Sequence, residues 1–346
     1  MNKPVSAVLM VAMLAAVATA SGCIKRMKMP SEELLWQPSP DRFERGEERF
    51  EFEEVGRLEE VDGKREFLID HVIESDDGRV IAASAWTVWD AAADDTNDAT
   101  ERRYLAHGVV IFPLGGGESE WVPAPVGGHG GDEELVPSAF SPDTDLLAMR
   151  YAGREYVWSR SERRFVYGLS YDGSVRYGVG VIDGVLTRGR TNRPVLFPSQ
   201  QLPWTYEGVE GYVVPFRYEP VQSAGGRYLA ASYASTGYFL GMGDDTPGHM
   251  RVWNTETQKL VAWSGATEEL HQWNCPKPLA FLRPSEKLLY ADRDGLHIVE
   301  VESRRVAASM PFPDSNVWLE KVVWLPHASV VAVEGRDSFS LIRVKE

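Results

Sequence analysis

From about Phe67 to the end of the chain, apolar residues come in short runs and not at helical spacing. Leu68-Ile69-Asp70-His71-Val72-Ile73, Val109-Val110-Ile111-Phe112 and Lys321-Val322-Val323-Trp324 are typical, rich in β-branched and aromatic side chains. Such residues fit a pleated, half-buried surface. Gly, Pro, Asp, Asn and Ser separate the runs, with 31 Gly and 21 Pro in the chain. No 3.6-residue apolar period persists over ~12 residues. The pattern predicts an all-β protein.

The runs repeat as a unit. A first apolar strand leads to a turn with Gly, Pro or Asp, a second strand with small residues, and a third strand. Ser75-Asp76-Asp77-Gly78-Arg79-Val80-Ile81-Ala82 is followed by Thr87-Val88-Trp89-Asp90, read as a third strand. Phe140-Ser141-Pro142-Asp143 continues through Leu146-Leu147-Ala148 to Tyr156-Val157-Trp158-Ser159. Ala224-Gly225-Gly226-Arg227-Tyr228-Leu229-Ala230 leads to Met250-Arg251-Val252-Trp253-Asn254. Phe281-Leu282-Arg283-Pro284 precedes Leu288-Leu289-Tyr290 and Leu296-His297-Ile298-Val299. Trp324-Leu325-Pro326 precedes Val330-Val331-Ala332 and Leu341-Ile342-Arg343-Val344.

These repeats resemble the WD40-like β-propeller family, in which a blade of ~40–45 residues often ends its third strand in Trp-Asp. Trp89-Asp90, Trp158-Ser159 and Trp253-Asn254 carry the likeness, and Met250–Val261 is the nearest match. The Gly-His dipeptide that opens such repeats is mostly missing, and the spacings are uneven. The resemblance implies six or seven four-stranded blades over residues 67–346. Stacked blades bury both faces of each sheet and leave short edges. Ala82, Ala83, Ala148, Ala230, Ala231 and Ala332 suit close blade packing. A β-sandwich pair is the competing architecture.

The amino terminus is different. Lys3 precedes an apolar stretch from Val5 to Ala18, the signature of a secretory signal peptide. Its end, Ala20-Ser21-Gly22-Cys23, resembles a bacterial lipobox, with Ala20 where the family usually has Leu. The resemblance implies a signal peptide over 1–22, cleavage between Gly22 and Cys23, and acylation of Cys23. Ile24 implies outer-membrane sorting, facing the periplasm or the cell surface. An ordinary cleavage after Ala18 or Ala20 is the alternative, leaving Cys23 a stray thiol. Residues 23–66 read as the lipidated cysteine and a charged tether, with Lys25, Arg26 and Lys28 beside the lipid and acidic residues beyond Glu44.

The 346 residues carry 36 Lys and Arg against 51 Asp and Glu, a net charge of −15. A surface this acidic excludes nucleic acid as a partner and suits a monomer. There are two cysteines, so acylation of Cys23 leaves Cys275 with no intramolecular disulfide partner. No run after residue 18 reaches the ~20 apolar residues of a spanning helix.

Candidate chemistry is sparse. None of the seven histidines forms a metal-ligand pair of the H-x-x-x-H kind. His129-Gly130-Gly131-Asp132-Glu133-Glu134 and Asp94-Asp95-Thr96-Asn97-Asp98 read as solvated acidic loops, the second lacking the Gly and terminal Glu of a calcium loop. No nucleophile elbow and no phosphate loop occurs. No cofactor and no metal is therefore expected. Tyr233, Tyr238, Phe239, Asp244 and Asp245, in and beside the Gly-rich loop 234–249, form the candidate partner-contact surface, and Trp318 is a further loop aromatic. The expected function is that of a lipid-anchored, non-catalytic propeller that binds or scaffolds a protein. A glycan-active hydrolase or lyase with its site in the funnel is the rival, which a cluster of histidines and carboxylates at one mouth would favour. A small-molecule sensor is a third reading.

Overall fold

The computed structural model describes residues 32–34, 50–61, 63, 67–90, 102–125, 134–151, 154–169, 176–177, 207, 218–233, 249–264, 275–314, 317–335 and 338–345. They form five antiparallel sheets. The chain enters with β1 (Glu51–Leu58). The first sheet is β2 (Phe67–Glu74), β3 (Val80–Asp90), β4 (Arg102–Pro113) and β5 (Glu120–Pro123). The second is β6 (Val136–Phe140), β7 (Leu146–Tyr151), β8 (Arg154–Ser159) and β9 (Arg164–Leu169), extended by β10 (Arg176–Tyr177). The third is β11 (Val221–Gln222), β12 (Tyr228–Tyr233), β13 (His249–Asn254) and β14 (Leu260–Trp263). The fourth is β15 (Lys277–Phe281), β16 (Leu288–Asp292), β17 (Gly295–Glu300) and β18 (Arg305–Pro311). The last combines β19 (Val322–Leu325), β20 (Val330–Glu334) and β21 (Phe339–Lys345) with β1.

Sheets touch through their first strands: β6 lies beside β2, β2 beside β19, β19 beside β15, and β15 beside β11. The period of two in each strand then feeds two interfaces at once. Along β20, Val330 and Ala332 pack with Ile81, Ala83 and Ala85 of the first sheet, while Val331 and Val333 pack with Leu289, Ala291 and Leu296 of the fourth. Along β3, Val80 and Ala82 turn instead to Leu147 and Met149 of the second sheet. Leu288 and Tyr290 meet Tyr228, Ala230 and Met250 of the third. Burial on both faces of four-stranded sheets, joined side by side at their inner strands, is a β-propeller. Five blades lie among the described residues; the six or seven expected are not counted by them.

Three of the five strand-one to strand-two turns share the same hydrogen bonds. Ser75, Ser141 and Ser223 each accept, through Oγ, the N–H five residues on: Val80 at 3.0 Å, Leu146 at 2.9 Å and Tyr228 at 3.1 Å. The fourth turn residue has positive φ each time, at Gly78 (66°), Thr144 (60°) and Gly226 (73°). The sequence unit thus maps onto a hydrogen-bonded module.

Two placements differ from the sequence reading. Residues 51–58, assigned there to the tether of 23–66, form the outer strand of the last blade, antiparallel to β21 from Glu51↔Lys345 to Leu58↔Phe339. The strand is hard to see because it is an edge: only Phe52, Val55 and Leu58 of its eight residues are large and apolar. It joins the two ends of the described chain in one sheet. Trp89-Asp90 ends a second strand and not a third, since Val80–Asp90 runs unbroken and Asp90 pairs with Arg102 of β4. No turn-forming residue interrupts that run. Trp158 and Trp253 do lie on third strands.

Candidate functional site

The inner strands expose a row of backbone groups with no sheet partner on one side, and side chains from neighbouring blades fill that row. Ile69 of β2 donates its N–H to Glu334 Oε1 at 3.1 Å and accepts from Lys321 Nζ at 3.3 Å. Lys277, at the start of β15, donates to Val322 O at 2.7 Å and Glu320 O at 3.0 Å. Burial lowers the Lys277 amine to about 8, against the pull of Glu320 and Glu219. Toward the starts of the inner strands, at one mouth of the ring, charged side chains join this row.

Asp70 and His71 lie on β2 at that mouth. The register slips between Asp70 and Val72, and His71 takes a φ of 38°. Such a bulge re-aims a side chain. The half-exposed imidazole Nε2 sits 3.2 Å from Glu134 Oε2, just before β6. Glu134 Oε1 accepts from Ser84 Oγ at 2.7 Å. The Glu134 bond raises the His71 pKa above the usual imidazole value, in spite of burial. Burial pushes Glu134 up, but the bonds from His71 and Ser84 together outweigh it and hold the carboxyl low. On the other side, Lys321 Nζ lies 2.6 Å from Asp70 Oδ1 and 4.0 Å from Glu334 Oε2.

Trp318 lies three residues before Lys321 in the chain. It caps a 3-10 turn, Leu319–Lys321, in which the Lys321 N–H donates to Trp318 O at 2.8 Å. Its residue surface is 65% exposed, against 40% for Tyr167, the other large exposed hydrophobic among the described residues. A solvated indole is suited to anchoring an apolar side chain of a partner, and the fixed charges on Lys321 and Asp70 are suited to aligning polar groups.

Of the five described histidines, His71 and His107 adjoin the Glu134–Leu135 segment, and the other three lie elsewhere. His107 stacks on Trp86 at 3.9 Å and meets the Leu135 N–H at 2.6 Å. His249 is buried on β13, and its Nε2 accepts a hydrogen bond from Arg251 Nε–H at 2.8 Å. His297 bridges Asp292 (2.9 Å) and Ser309 (2.8 Å). His327 lies in a turn whose N–H reaches Glu74 at 3.0 Å. Only His71 is on an inner strand. Among the described residues, no group of three or more His, Cys, Asp or Glu is placed to hold a metal.

Of the residues singled out from sequence, Tyr233 ends β12, where its backbone pairs with His249. Gly22, Cys23, Tyr238, Phe239, Asp244 and Asp245, like His129 and the Asp94–Asp98 loop, lie outside the described residues. Cys275 is buried, its thiol 3.7 Å from His249 O. The mouth residues Asp70, His71, Lys321 and Glu334 were missed as a group, because nothing in one strand announces a carboxylate about 265 positions away.

No family model matches this chain. No curated protein matches it either. Among solved structures, a chain of a mitotic checkpoint complex crystal structure is 11% identical, with a TM-score of 0.42, over 93% of this chain and 100% of that one. The propeller assignment rests on the strand order and blade packing above.

Proposed function

We propose that this chain is a lipid-anchored, non-catalytic β-propeller that binds a protein partner at the bacterial cell envelope. The supporting observations are the 65% exposed Trp318, whose carbonyl accepts the Lys321 N–H, and the Asp70–Lys321 and His71–Glu134 pairs that join neighbouring blades. An exposed aromatic in the same turn as a fixed charge is the kind of surface on which binding energy concentrates. The contact surface extends to Tyr233, Tyr238, Phe239, Asp244 and Asp245. Cys23 carries the lipid, after cleavage at Gly22-Cys23, and holds the ring to the outer membrane, facing the periplasm or the cell surface. Two or more acyl chains make such an anchor lasting. The propeller acts as a monomer.

The test joins both halves. Affinity capture from crosslinked membranes is run with the native chain, with Trp318→Ala and with Lys321→Glu. A specific protein lost from both variants, with their circular dichroism and melting unchanged, supports the reading. Equal recovery from all three overturns the mouth as the contact. In parallel, Cys23→Ser moves the protein from the membrane to the soluble fraction, and unchanged partitioning overturns the anchor.

A further inference from the structure

A second site lies on the rim, away from the mouth, where the last blade meets the first. A groove of about 570 Å³ opens there between the end of β1 and strands β4 and β5. That volume suits a small organic ligand. Its floor is apolar, from the buried Leu58 and Val110, and continues into the packed core.

Trp121 gives the groove its character. It pairs across the strands with Val110, and its six-membered ring leans diagonally onto Gly108. A Cβ at Gly108 would stand 2.5 Å from Trp121 Cη2, so only glycine lets the indole settle that low on the sheet. The ring is thereby fixed as a platform before any ligand arrives, which lowers the ordering cost of binding.

The polar walls narrow the ligand class. Arg57 and Ser119 offer donors, and Glu59 and Glu60 offer acceptors. Arg57 Nε is already held 3.2 Å from Glu59 Oε1. Two carboxylates against one guanidinium disfavour a phosphate or other anion. The guanidinium and the single aromatic ring disfavour a quaternary ammonium, which is held by several rings. What remains is a neutral molecule with apolar faces for the indole and a mixture of O–H donors and lone pairs for the walls.

We propose that the rim groove binds a neutral oligosaccharide, with the sugar ring stacked on Trp121 and its hydroxyls shared among Arg57, Ser119, Glu59 and Glu60. The proposal stands apart from the partner surface at the mouth. The test titrates the full-length protein with chitotriose, cellotriose and maltotriose, followed by calorimetry. Saturable binding to at least one of them is expected, with Trp121→Ala weakening it tenfold or more. Glu60→Gln, at an exposed position, weakens it several-fold and keeps the fold intact, which separates binding from stability. Absence of saturable binding to all three sugars overturns the proposal, as does equal affinity of the native protein and Glu60→Gln. Saturable binding of choline or inorganic phosphate that Trp121→Ala abolishes overturns the ligand class.

Discussion

Glu334 of the last blade accepts the backbone N–H of Ile69 of the first, at 3.1 Å. Its other oxygen, Oε2, is buried without a hydrogen bond, and Lys321 stands 4.0 Å from it. Burial is the main reason its pKa rises to about 7, with the Ile69 bond and Lys321 pulling the other way. Because the folded value lies above the unfolded one, the folded state holds the extra proton. Between pH ~4.5 and ~7 folding therefore weakens as pH rises, and above that window the full cost of a buried charge remains. Glu334→Gln keeps an acceptor for Ile69 and removes the charge. It is expected to match the native protein near pH 4 and to exceed it at pH 8 by about 3 kcal/mol. Denaturant unfolding at both values checks this, and parallel pH curves would refute it.

Gly78 offers a steric test of the same seam. Its φ is 66°, and a Cβ there would stand 2.3 Å from His327 O of the last blade. Gly78→Ala therefore meets two obstacles, a left-handed backbone and a backbone atom that cannot turn away. Destabilisation of about 2 kcal/mol or more is expected. Gly115→Ala, with nothing within 4 Å, is the control and is expected to stay within about 0.5 kcal/mol. Urea midpoints decide between them.

Much of the fold is legible in the chain, because a propeller repeats local chemistry. Ser75, Ser141 and Ser223 mark the same turn, and the small residues Ala82, Ala83, Ala230, Ala231 and Ala332 sit fully buried on second strands. The joints between distant segments are not legible. Glu51–Leu58 reads as an acidic tether because an edge strand needs only one apolar face, and its pairing with β21 depends on ring closure. Asp70 and His71 read as part of an apolar run, and only the bulge at that point turns them to the mouth. Trp318 was visible as a loop aromatic, but its exposure depends on how the turn before β19 is set.

The closing strand supplies a third prediction. Leu58 is 8% exposed and packs with Phe67, Phe339 and Leu341, so it ties β1 to both terminal blades. Leu58→Ala is expected to cost about 2–3 kcal/mol through lost contacts and an unfilled space. Truncation up to residue 58 leaves the outer edge of β21 unpaired, and such an edge recruits other chains. Light scattering is expected to show association of the truncated protein under conditions where Leu58→Ala stays monomeric. A monomeric truncation with native melting would place the seam elsewhere.

His71 and Glu134 make the last prediction, at the mouth itself. The carboxylate 3.2 Å from Nε2 favours the imidazolium, so His71 is expected to titrate above the ordinary imidazole value of ~6.5. A raised histidine contributes stability that is fully present below its unfolded pKa and is lost as pH rises through the folded one. The pair is partly solvated, so its effect on stability is small and its effect on local charge is the better readout. Glu134→Gln removes the attraction and leaves Ser84 a partner for the amide. NMR titration of the histidine ring signals is expected to show the His71 resonance with a raised midpoint in the native protein and a lower one in Glu134→Gln. His71→Asn should delete that resonance alone, since the other described histidines sit on separate strands. If partner binding uses the imidazolium, it weakens above this midpoint, and Glu134→Gln moves the loss to lower pH. An unmoved midpoint in Glu134→Gln would mean that the pair is not formed in solution.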